Sequence, residues 1–180
     1  MAVPLSRRIV ERLPDANRSY HRLVLVVGPP ASGKTTALRN LSAAHGWPLV
    51  NVNLALSERL LELTRKQRAL RAPRILSEIV ERHPGDVLLL DNTEILFSPD
   101  LQQDPLRLLQ GLARNRTVIA TWSGEMDGDN LTYARAPHPE HRRYLQPAVI
   151  IVPARIDRGS GQAATACEPL GPRIAQENPA

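Results

Sequence analysis

The sequence predicts an α/β fold, a three-layer sandwich around a five-stranded, mostly parallel sheet. Three observations carry that expectation. Apolar runs of strand length alternate with segments of helical spacing through residues 20–153, as strand–helix–strand units require. The first run, Leu23-Val24-Leu25-Val26-Val27, is continuously apolar, which suits a parallel strand buried on both faces. Finally, Gly28-Pro29-Pro30-Ala31-Ser32-Gly33-Lys34-Thr35 joins the first run to the first helix and satisfies every fixed position of G-x-x-x-x-G-K-[ST]. Strand, glycine loop and helix start is the setting in which that pattern forms a phosphate loop, so the expected class narrows to a P-loop NTPase.

The elements follow in order. Residues 4–13 suit a short helix with Ile9, Val10 and Leu13 on one side, ended by Pro14, and 14–19 a loop. The first strand spans 22–27, and the first helix runs from the glycine loop to about Ala44, where His45-Gly46 closes it. A second strand fits 48–53. Ser57 is the expected N-cap of a helix through Leu60, Leu61, Leu63 and Leu70. Pro73 should break that helix and start another over 74–82, closed by His83-Pro84-Gly85. Strand three is 87–91. Asp104-Pro105 opens a helix carrying Leu106, Leu108, Leu109 and Leu112, and strand four is 117–122. Residues 123–137 read as a long polar loop, 139–145 as a short helix and 148–152 as strand five. After Pro153 the glycines, serine and prolines predict a disordered tail over 154–180. The chain thus divides into an N-terminal helix and loop (1–19), the sheet domain (20–153) and the tail.

Composition sets bounds on function. A hydrophobic content of 42% with 23% charged residues is that of a soluble globular domain. Cys167 is the one cysteine, so no internal disulfide can form. No apolar run reaches the ~20 residues of a membrane span. No apolar segment follows Arg7-Arg8 as a secretory signal would require. These features predict a cytoplasmic protein with no membrane partner. The net charge is +5, almost all of it arginine, since Lys34 and Lys66 are the only lysines. The arginines alternate with Asp and Glu, as solvated helix faces do, so direct nucleic-acid binding has no pattern behind it.

The chemistry predicted at the loop is ATP and Mg²⁺ binding. Gly28 and Gly33 let the backbone turn its N–H groups toward phosphate, and Gly28, Pro29, Pro30, Ala31, Ser32, Gly33, Lys34, Thr35 and Thr36 form the nucleotide-binding set. Lys34 reaches the β- and γ-phosphates, and the Thr35 hydroxyl meets Mg²⁺. Asp91, at the end of an apolar strand, is the second metal residue. Hydrolysis also needs a group to activate water. Asn92 follows Asp91 and cannot take a proton, which leaves Glu94, three residues on, as catalytic base or as the partner in a capping box with Asp91. Thr121, at the polar end of strand four, is placed to contact the γ-phosphate or the lytic water if strand four lies between strands one and three. His138 and His141 lack further metal-binding partners and are read as a helix start with Pro139. Three activities share these residues: an ATPase, a small-molecule kinase with 123–137 as its lid, and a non-catalytic nucleotide-binding scaffold.

The span 23–152 resembles the BrxF family, small P-loop proteins of type III BREX phage-defence systems. The likeness rests on the glycine loop, on Asn51-Val52-Asn53-Leu54 with Leu56-Ser57, and on Leu90-Asp91-Asn92-Thr93-Glu94-Ile95-Leu96-Phe97. It continues through Asp104-Pro105-Leu106, Thr121-Trp122-Ser123-Gly124, Leu131-Thr132-Tyr133-Ala134 and His138-Pro139-Glu140. The resemblance implies an AAA-like, ASCE-type ATPase fold acting beside other BREX proteins, with any DNA contact indirect. The residues after strand five are too few for the helical lid of full AAA+ proteins. In AAA-type rings an arginine near the end of the helix before strand five acts on a neighbour's ATP. Arg142 and Arg143 stand at that place, so Arg142 is the candidate finger and a homo-oligomer the arrangement it needs.

Overall fold

The structure, a computed structural model, describes residues 3–155. The tail expected after Pro153 lies, beyond Arg155, outside the described residues. Five strands form one all-parallel sheet in the order β2-β3-β4-β1-β8. They are β1 (Leu23–Val27), β2 (Leu49–Asn51), β3 (Val87–Asp91), β4 (Thr117–Trp122) and β8 (Ile150–Pro153). Strand four does lie between strands one and three.

Period-two alternation divides the sheet's side chains between two cores. Val24, Val26, Leu89 and Ile119 face one side and pack with Ile9, Ala16, Ala37, Leu38 and Leu41. Those residues come from α1 (Leu5–Glu11), α2 (Leu13–Arg18) and α3 (Lys34–His45). Leu23, Leu25, Leu88, Leu90, Val118 and Ala120 face the other side. There they meet Leu56, Leu76, Ile79, Leu106 and Leu109 from α4 (Val52–Leu60), α5 (Arg65–Glu81) and α6 (Pro105–Leu112). Each such Leu or Ile contributes about 1.5–3 kcal/mol by leaving water. No helix among the described residues is long and apolar enough to cross a membrane.

Three helix boundaries differ from expectation. Pro14 does not end the first helix; it sits in the first turn of α2, where its missing N–H costs nothing. Ser57 lies inside α4 and caps nothing. Asn51 is the cap, its Oδ1 accepting from Leu54 N at 3.0 Å, so β2 stops at Asn51. A second cap, the box formed by Thr64 and Gln67, opens α5. Pro73 breaks nothing, because α5 runs through it for 17 residues. The carbonyl that Pro73 leaves without its helical donor is that of Ala69, and Gln103 Nε2 donates to it at 2.8 Å.

The largest correction concerns residues 123–145. They form neither a loop nor a helix but an antiparallel ribbon, β5 (Gly124–Asp127), β6 (Asn130–Tyr133) and β7 (Arg142–Tyr144), in the order β5-β6-β7. Asp127 pairs with Asn130, leaving Gly128-Asp129 as a two-residue turn with Gly128 at φ +59°. Leu131 and Tyr133 point inward and are buried, while Asn130 and Thr132 between them are only half-buried. Tyr133 stacks on Phe97, and Trp122 Nε1 donates to Thr132 O at 2.9 Å. At the far strand, Tyr144 Oη donates to Asp104 Oδ1 at 3.1 Å. These anchors hold the ribbon over the carboxyl ends of β3 and β4.

Candidate functional site

The loop of residues 28–33 leaves β1 and enters α3 at the carboxyl edge of the sheet. Ala31 and Gly33 take left-handed φ of +58° and +87°, and Gly33 is the N-cap residue of α3. Gly28 is required for space. A Cβ there would lie 2.7 Å from both Ala154 Cβ and Ser32 Oγ. Gly28 N donates to Trp122 O at 3.1 Å, fastening the loop to β4.

Lys34 is 7% exposed, so its ammonium must be paired. All three of its donors are used: Gly28 O and Pro29 O at 2.7 Å each, and Ser32 Oγ at 3.3 Å. Burial pulls the Lys34 amine below its ordinary range, against the opposing pull of Glu94 and Asp91. Thr35, next on the helix, donates its hydroxyl to Asp91 Oδ1 at 3.1 Å. Asp91 ends β3 and is 5% exposed. These two oxygens, from elements far apart in sequence, could share a hard cation.

After Asp91 the chain turns sharply. Asn92 has φ +52°, and a short 3₁₀ helix follows over Thr93–Phe97. That helix has no side-chain cap, since Asp91 is engaged by Thr35 instead. Glu94 Oε1 accepts from Ser123 Oγ, just past β4. Thr93 Oγ1 donates to Thr121 O at 2.6 Å, tying the two strand ends together. Thr121 Oγ1 is buried and has no hydrogen-bond partner among the described residues.

These groups share one cleft of about 630 Å³. Pro30, Ala31, Ser32, Gly33, Lys34, Thr35 and Thr36 form its loop wall, and Asp91, Asn92, Glu94, Thr121 and Ser123 its floor. The ribbon supplies the facing wall through Tyr133, Ala134, His138 and Glu140. Gly28 and Pro29 contribute carbonyls to Lys34 rather than surface to this cleft. An orphaned hydroxyl, a buried ammonium, backbone N–H groups at a helix start and a Thr–Asp pair fit a polyphosphate with a divalent cation.

Arg142 is not brought into the cleft. The helix expected around it is strand β7, and its Nη1 donates to His141 O at 2.9 Å and Pro139 O at 3.5 Å. Arg135, the one arginine of the segment expected to form a lid, stands 4.0 Å from Glu125. His138 and His141 make separate backbone contacts, and no group of three metal-binding side chains occurs among the described residues. Sequence reasoning missed the ribbon wall of the cleft. The signal available was Gly128-Asp129, a hairpin turn dipeptide, followed by inward Leu131 and Tyr133 at period two.

Comparison with known proteins adds no relative to this geometry: no family model matches the chain, and no curated protein does.

Proposed function

We propose that the protein is a P-loop NTPase that binds ATP with Mg²⁺ and hydrolyses it, and that it does so as a component of a BREX-type anti-phage defence system. The defence role is carried over from the sequence resemblance. The nucleotide role is supported above all by one contact, Thr35 Oγ1 to Asp91 Oδ1 at 3.1 Å, which joins the helix start of the glycine loop to the acidic end of β3. Backbone N–H groups of the loop and the start of α3 would bind the phosphates. Lys34 would exchange its loop carbonyls for phosphate oxygens. Thr35 and Asp91 would hold Mg²⁺, which would neutralise phosphate charge when bound. Thr121 Oγ1 offers a free hydroxyl to the terminal phosphate or the attacking water. Glu94, held on one oxygen by Ser123, keeps the other to take a proton from that water.

A second reading, a nucleotide-binding scaffold without turnover, is favoured by Asn92. That residue occupies the position directly after Asp91, in a left-handed turn, and its amide cannot accept a proton. Phosphate release from MgATP, with Lys34→Ala as control, decides between them. Turnover that falls to background in a folded Lys34→Ala variant is expected. Tight ATP binding with no phosphate release from the wild type would make the protein a scaffold.

A further inference from the structure

Two side chains on the ribbon wall take no part in the chemistry above. Tyr133 ends β6 with its ring clamped, stacked on Phe97 and edge-on to Trp122. Burial pushes its hydroxyl up to about 12, and the carboxylates of Glu140 and Glu94 push it the same way. At neutral pH it is therefore an O–H donor. His138 lies in the connection between β6 and β7. That connection is pinned by His138 N to Arg135 O at 2.8 Å, His141 N to His138 O at 2.9 Å, and His141 Nδ1 to Ala134 O at 3.1 Å. The backbone N–H of Glu140 donates to His138 Nδ1 at 3.2 Å, so the neutral ring carries its proton on Nε2. Tyr133 and His138 both line the cleft that holds Lys34, Glu94 and Thr121.

Building on the nucleotide reading, we propose that Tyr133 and His138 donate hydrogen bonds to the terminal phosphate of the bound nucleoside triphosphate, supplied by the same chain that binds it. Charge shifts among the oxygens around that phosphate during transfer, and donors already in place stabilise it without reorganising. Lys34 and the loop hold the nucleotide from one wall, and the ribbon meets its far end from the other. A triphosphate carries the terminal phosphate that this contact needs; a diphosphate lacks it. An O–H and an N–H donor complement this side of the cleft, which Glu94 and Glu140 also line. The site then needs no arginine from a neighbour, in keeping with Arg142 being spent on backbone carbonyls.

The test uses full-length Tyr133→Phe, His138→Ala and His138→Gln. Phenylalanine keeps the stacked ring and removes only the hydroxyl. Glutamine can return an N–H close to the position of Nε2. Steady-state kinetics give kcat and KM for MgATP, titrations give Kd for ATP and ADP, and melting curves check the fold. Tyr133→Phe and His138→Ala are each expected to lower kcat on the order of 10²-fold, with KM nearly unchanged. Preference for ATP over ADP should fall about tenfold, His138→Gln should recover most of the rate, and wild-type specific activity should not depend on protein concentration. Wild-type kcat and ATP preference in both Tyr133→Phe and His138→Ala would overturn the inference while leaving the nucleotide reading intact. Specific activity that rises with concentration would overturn the same-chain assignment. A wild type that binds no ATP would remove the nucleotide reading, and the inference with it.

Discussion

The parallel sheet and the antiparallel ribbon face each other across one cleft, and they are held together by different forces. Every residue of β1 and β4 is buried, so each strand is stabilised wherever it lies along its length. In β5, only Gly124 is buried, and Glu125, Met126 and Asp127 are exposed. The ribbon is held at a few points instead: the Tyr133–Phe97 stack, the Trp122–Thr132 hydrogen bond and the Tyr144–Asp104 hydrogen bond. Gly124 is one of those points. A Cβ there would stand 1.9 Å from Thr132 O, so a side chain at the β4–β5 junction would push the hairpin away. A single substitution in a region stabilised all along its length lowers stability but leaves the other contacts of the strand in place. A region stabilised at points can be detached by a single substitution.

The largest expected effect falls where the two regions meet the chemistry. Glu94→Gln keeps the hydrogen bond to Ser123 available but removes the carboxylate proposed as the base. Turnover should fall about 10²–10⁴-fold, with ATP affinity and melting temperature unchanged. Equal rates in variant and wild type would show that Glu94 has a structural role only, as a partner of Ser123.

Phe97→Ala breaks the comparison directly. Phe97 is fully buried between the ribbon's Tyr133 and the sheet's Trp122. Its loss should cost about 3–5 kcal/mol, read as a lower urea midpoint. Amide exchange should quicken first in β6 and β7, while β1 and β4 keep their protection. Uniform loss of protection across both regions would mean that the ribbon and the sheet unfold as one unit.

That asymmetry also explains what the sequence disclosed. The parallel strands are visible as mainly apolar runs, most clearly β1, where burial on both faces leaves no polar position to interrupt the run. The glycine-loop residues and Asp91 are visible because the phosphate chemistry proposed for them requires fixed spacing. The ribbon is hidden because its strands are three or four residues long and mostly solvated, leaving only the Gly128-Asp129 turn and two inward side chains to mark it. His138 and Glu140 reach the cleft only because β6 and β7 pair, a contact that no local pattern announces.

Alkaline titration sharpens the comparison by a smaller effect. The Tyr133 hydroxyl is pushed up to about 12, first by burial and then by Glu140 and Glu94. An unfolded tyrosine loses its proton near pH 10, so above that value ionisation favours the unfolded state. The stabilisation is complete below about pH 10 and is lost as pH rises toward 12, at up to ~1.4 kcal/mol per pH unit. Tyr144, raised by burial and by Asp104, adds in the same direction. Between pH 9 and 11 the wild type should lose more urea stability than Tyr133→Phe. Identical losses would place the Tyr133 hydroxyl in water.

The smallest expected effect lies in the sheet region, at a helix that continues through a residue expected to break it. Pro73 predicts a break, yet α5 continues through it. Proline removes the N–H that would bond to Ala69 O, and Gln103 Nε2 replaces it at 2.8 Å from a distant connection. Gln103→Ala therefore leaves a half-buried carbonyl unpaired and should cost about 1 kcal/mol. Pro73→Ala restores the backbone donor, provided the helix relaxes to regular geometry. In that background the same Gln103→Ala change should cost much less, because the carbonyl now has its helical partner. The double-mutant cycle thus isolates the compensation from any packing that Gln103 provides. Equal costs in both backgrounds would mean that Gln103 stabilises α5 through contact alone and that the helix tolerates Pro73 for another reason.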